Sequence, residues 1–115
     1  MIADPELTFG TGLTALVVDD EPVIRQLLHV VLGDLGFHVE TLPDLRSARE
    51  RTSVQDFDVV LVDKNLPDGS GLELCQALRA ADVDCKVVVM SGYANLSSAV
   101  EAFKLSVSDY FVKPI

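Results

Sequence analysis

The 115-residue sequence predicts an α/β fold, a doubly wound parallel sheet of five strands. Two observations carry this. Five short apolar runs alternate with amphipathic stretches, and strand, helix, strand in repetition makes a parallel sheet. The first, third and fourth runs are nearly continuous Val and Leu, as expected of central strands covered by helices on both faces. The second and fifth are more mixed and predict an edge.

In chain order, "TALVVD" (14–19) is the first strand. Val23, Leu27, Leu28, Val31, Leu32 and Leu35 follow a helical period, with Pro22 suited to the first turn and Gly36 to the exit. "FHVETL" (37–42) is the second strand, and "PDLRSARERT" (43–52) is a short polar helix with Leu45 and Ala48 inward. "DVVLVD" (58–63) is the third strand; after the Gly69 and Gly71 turn, Leu72, Cys75 and Leu78 mark a third helix. "KVVVMS" (86–91) is the fourth strand, Leu96, Ala99, Val100 and Phe103 mark a fourth helix with Asn95 as its cap, and "DYFVK" (109–113) is the fifth strand. The expected organisation is an N-terminal extension, 1–12, and one domain, 13–115, with five strands and four helices. A fifth helix beside the first is absent, so an apolar strip of sheet is expected to face water or to drive self-association.

Composition excludes several classes. Nine basic against eighteen acidic residues give a net charge of −9, which disfavours direct contact with nucleic acid or an anionic membrane. No apolar run reaches the roughly 20 residues of a membrane span, and the start lacks an export signal, so a cytoplasmic location is expected. Cys75 and Cys85 form no CxxC and sit near no histidine cluster, which favours buried packing over metal or redox chemistry. His29 and His38 are assigned no role, and Met90 is expected in the core.

The polar residues of interest all close strands. Asp19 and Asp20 close the first, Asp63 the third, Ser91 the fourth and Lys113 the fifth. Ligands of doubly wound sheets bind at such carboxyl ends. Singly, "DDEP" reads as a helix cap, Asp63 as turn chemistry, Ser91 as a local backbone partner and Lys113 as a surface lysine. Jointly, independent turn residues have no reason to choose one rim. Carboxylates gathered there repel unless a cation sits among them, and oxygen donors without His or Cys point to Mg2+ rather than zinc. A carboxylate beside such a metal can attack phosphorus. Asp63 is then the nucleophile, Asp19 and Asp20 hold the metal, and Lys113 and Ser91 contact phosphoryl oxygens, with Gly92 leaving room.

"VVDDEP", "VDKNLPDGSG", "MSGYA" and "DYFVKP" together resemble the receiver domain of bacterial two-component response regulators, over residues 14 to 114. The resemblance implies a flavodoxin-like sheet of order 2-1-3-4-5 and Mg2+-dependent transfer of a phosphoryl group from a kinase phosphohistidine. It puts the phosphoacceptor at Asp63, metal carboxylates at Asp19 and Asp20, and a carbonyl ligand at Asn65. Ser91 matches the hydroxyl switch, Tyr110 the aromatic switch, and Lys113, followed by Pro114, the lysine. Implied partners are a histidine kinase or phosphotransfer protein, an output domain, and a second copy in a homodimer. Such a domain assists its own phosphorylation and dephosphorylation without being an enzyme on a separate substrate. "AVEAFK" is similar to receivers that control transcription; a hybrid-kinase receiver and a binding-only receiver are the alternatives. A phosphatase of the haloacid dehalogenase kind needs DxD after the first strand, and here the pair is adjacent. Three departures stand out: Lys64 directly after the acceptor, "KLSVSDY" before the fifth strand, and the absent fifth helix.

Overall fold

The computed structural model describes residues 12–92 and the strand 109–112. The expected fourth helix with its Asn95 cap, Lys113, Pro114 and the extension through residue 11 lie outside the described residues, as does the side chain of Tyr110. The elements are β1 (Thr14–Val18), α1 (Pro22–Asp34), β2 (His38–Leu42), α2 (Leu45–Thr52), β3 (Val59–Asp63), β4 (Asn65–Leu66), β5 (Gly69–Ser70), α3 (Gly71–Ala80), β6 (Lys86–Ser91) and β7 (Asp109–Val112). The large sheet is parallel, in the order β2-β1-β3-β6-β7. Setting aside the two-residue antiparallel pair β4 and β5, this is the order 2-1-3-4-5, and both mixed runs are edges.

Strand alternation sends side chains to two faces. Leu16, Val18, Val60, Val62, Val87 and Val89 share a core with Leu45 and Ala48 of α2 and Leu72, Leu74, Cys75 and Leu78 of α3. Val17, Leu61 and Met90 face the other way, against Leu28, Ile24 and Leu32 of α1. Each Val, Leu or Met side chain fully buried this way contributes roughly 1.5–3 kcal/mol. Cys75, Cys85 and Met90 are all buried, as their types predict.

The apolar stripe of α1 departs from the sequence reading. Only Leu28 is buried, with Ile24 and Leu32 packed beside it, whereas Val23, Leu27, Val30 and Val31 are exposed. The helix carries two apolar stripes, and periodicity alone does not choose between them. The sheet selects the line Ile24, Leu28, Leu32, spaced by four. Gly36 does end the helix, at φ 98°, where a side chain would be strained. Strand limits shift by one residue: β1 stops at Val18, β2 begins at His38 and β3 at Val59. Among the described residues no helix is long and apolar enough to cross a membrane.

Candidate functional site

Because β1 pairs β3 in parallel, and β3 pairs β6, their carboxyl ends share one rim. Among the described residues the buried polar or charged side chains are Asp19, Asp63 and Ser91, at 0%, 4% and 0% exposure. All three stand at that rim. Asp19 follows β1, Asp63 ends β3 opposite Met90, and Ser91 ends β6. Burying carboxylates is costly unless hydrogen bonds or a cation compensate, so their convergence is not a product of packing.

Asp20 and Glu21, both exposed, complete the group. One carboxylate oxygen from each of Asp19, Asp20, Glu21 and Asp63 lies within 4.8 Å of the others. The sequence does not single out Glu21, because an acid before Pro22 looks like the ordinary preference of helix starts for carboxylates. It does occupy the N-cap position of α1, but its side chain makes no capping bond there.

The backbone fixes this cluster locally. The Asp19 amide donates to the Leu42 carbonyl (3.0 Å), tying the acid pair to the end of β2. Asp19 Oδ1 accepts the Glu21 amide at 2.9 Å, and Arg25 Nη1 turns back from α1 to the Asp19 carbonyl at 2.8 Å. Arg25 carried no sequence signal, since its partner is a main-chain oxygen.

The segment after Asp63 is held just as tightly. The Lys64 amide donates to the Met90 carbonyl, and the Gly71 amide returns to the Lys64 carbonyl, both at 2.8 Å. Asp63 Oδ1 accepts the Asn65 amide at 3.1 Å. A Cβ on Gly71 would stand 2.1 Å from the Asp63 carbonyl oxygen and 2.7 Å from Val62 Cγ2, so only glycine allows this approach. Ser70 and Glu73 then form a capping box that starts α3. At the loop tip, Asp68 accepts the Leu45 and Arg46 amides at 2.8 and 2.9 Å. Hydrogen bonding, from Leu45 above all, holds the Asp68 carboxyl below its usual range.

Asp19, Asp20 and Asp63 are therefore brought together as the sequence predicts, with Ser91 on the same rim and Asn65 exposed in the loop that follows. Lys64 is half-buried, and both its backbone groups are engaged. Burial pushes the Cys75 and Cys85 thiols up, away from thiolate chemistry. The cluster offers carboxylate oxygens and neither nitrogen nor sulfur, a donor set that fits a hard divalent cation.

A family model for the response regulator receiver domain matches residues 15–115. The response regulator protein PilR of Pseudomonas aeruginosa is 38% identical over 101 residues, covering 88% of this chain and 23% of PilR. The photosynthetic apparatus regulatory protein RegA of Cereibacter sphaeroides is 34% identical over 114 residues, covering 99% of this chain and 62% of RegA. The chain thus spans less than two thirds of the length of either relative. A solved response regulator from Burkholderia pseudomallei, with a phosphorylated aspartic acid, calcium ion and citrate, matches with TM-score 0.83 at 30% identity, covering 90% of this chain and 61% of that one. TrrA of Thermotoga maritima in complex with Mg2+-BeF matches with TM-score 0.79 at 30% identity, covering 90% and 88%. With the flavodoxin-like strand order and the acidic rim in place, the chain belongs to the receiver domains of two-component response regulators.

Proposed function

We propose that Asp63 accepts a phosphoryl group from the phosphohistidine of a histidine kinase or phosphotransfer protein, in the cytoplasm, and that the phosphorylated form controls an output domain, here a transcriptional one. The observation that supports this most is the convergence of the buried Asp19, Asp63 and Ser91 with the exposed Asp20 at one rim. In the transfer, an Asp63 carboxylate oxygen attacks phosphorus, the P–N bond breaks, and the imidazole leaves with a proton from solvent. Asp63 becomes an acyl phosphate.

Asp19, Asp20 and Asp63, with the Asn65 carbonyl, would hold Mg2+. When bound, the ion neutralises charge shared between the acids and the phosphoryl oxygens. Ser91 donates its hydroxyl to one phosphoryl oxygen and Lys113 pairs with another, the lysine carried over from its motif. Movement of Ser91 toward the new dianion, with the Tyr110 ring turning inward, is the proposed switch. The net charge of −9 leaves nucleic-acid contact to the output domain.

Incubation with Mg2+ and acetyl phosphate, read by intact mass, tests the assignment. One added phosphoryl group is expected on the folded domain and none on Asp63→Asn. An unmodified wild type, or a modified Asp63→Asn, would remove Asp63 from this role.

A further inference from the structure

The start of α2 is capped twice, and only one of the caps is local. Asp44, the N-cap residue, accepts the Ser47 amide at 2.8 Å. The first two amides of the helix, Leu45 and Arg46, go instead to the two carboxylate oxygens of Asp68, 23 and 22 residues away in the loop that follows Asp63. Helix-start amides lack partners within the helix, so a carboxylate placed there is held by two bonds and by the helix dipole. The same loop buries Leu66 in the core that contains Leu45. Its tip is therefore fixed to α2, while its ends are fixed to β6 and to itself through Lys64 and Gly71.

We propose that Asp68 is a positioning residue for the acid cluster, setting its affinity for a divalent cation through the loop. This rests on the reading of the cluster as a cation site. Two links connect Asp68 to that site. The Asn65 amide donates to Asp63 Oδ1, so drift of the loop moves Asp63, and the Asn65 carbonyl is itself a proposed ligand. Coupling of this kind is reciprocal. Whatever factor Asp68 adds to cation affinity, the cation returns as protection of the Leu45 and Arg46 amides.

The test compares wild type, Asp68→Asn and Asp44→Ala by Mg2+ titration calorimetry and by amide hydrogen exchange. Asparagine keeps the size of Asp68 but turns an NH2 group toward one of the two amides. Asp44→Ala removes a cap from the same helix without touching the loop. Both variants should expose α2 amides to faster exchange. Only Asp68→Asn should weaken Mg2+ binding, roughly threefold to tenfold, below the 10–100-fold typical of partners that bond a metal ligand directly. Mg2+ should slow exchange at Leu45 and Arg46 by the same factor in the wild type and not in Asp68→Asn. Asp68→Ala, which removes both acceptors, should shift affinity further. Unchanged affinity in Asp68→Asn despite lost protection of Leu45 and Arg46 would overturn the proposal. So would an equal loss in Asp44→Ala, which would mark a general effect of loosening α2. A wild type that binds no Mg2+ would instead overturn the cation reading on which the proposal stands.

Discussion

At Gly71 the main chain passes so close to β3 that a single methyl group has no place, with the Asp63 carbonyl oxygen 2.1 Å from where it would sit. Gly71→Ala should destabilise the domain by about 3 kcal/mol, the upper end of overpacking costs, because backbone rather than a yielding side chain must move. Urea unfolding checks this. Asp20→Asn should act in the opposite direction: removing one of several clustered carboxylates relieves repulsion, so the cation-free domain gains stability while Mg2+ stabilises it less than it does the wild type. Unfolding with and without a chelator separates the two effects. Asp19, Asp63 and Ser91 were legible in the sequence because each interrupts an apolar run at its end, where burial makes polarity conspicuous, and the exposed Asp20 because it doubles the acid beside Asp19. Arg25 and Asp68 were not, because both reach main-chain atoms, which every residue possesses and no sequence displays.

Eight residues make α2, too few for a helix stable on its own, so its ends and its Leu45 and Ala48 contacts decide whether it forms. Asp68 gives that dependence a pH signature. Its folded carboxyl titrates below the ordinary range, so its contribution is complete above the unfolded value and disappears as pH falls through the folded one. The melting temperature of wild type should exceed that of Asp68→Asn at neutral pH, and the two should converge in strong acid. Glu40, lowered by its hydrogen bond to Arg51, follows the same sign. That pair is 36% and 39% exposed, so screening keeps Glu40→Gln within ~1 kcal/mol of wild type. The long elements could be read from apolar period and from Pro22 and Gly36. The β4 and β5 pair could not, since two residues a side carry no period; it arises from the turn between Leu66 and Gly69.

For the whole molecule, the parallel register collects the carboxyl ends of the five strands of the large sheet at one edge, and a net charge of −9 adds a field that draws cations there. Mg2+ at a hundredfold excess over its dissociation constant should raise the melting temperature by about 10 °C at matched ionic strength, and Asp63→Asn should lose most of that gain. The sheet order became legible only when chemical motifs joined the strand pattern, because period alone admits several windings. The α1 stripe shows the complementary limit: which of two apolar faces turns inward is settled by the partner surface. One feature of this architecture bears on protein engineering. Gly71 returns to Lys64, so the stretch 63–71 enters and leaves the fold at one point and forms a self-closing cassette. Its length is therefore the rigid quantity and its outward lettering the adjustable one. A library that varies the exposed Pro67 and half-buried Lys64 should retain folded clones, whereas inserting one glycine between them should displace the loop, breaking the reach of Asp68 to the start of α2 while Asp63 stays in β3. Moving the cassette to a related sheet should require of the recipient a strand end, a glycine-sized gap beside it and a helix start to receive its tip.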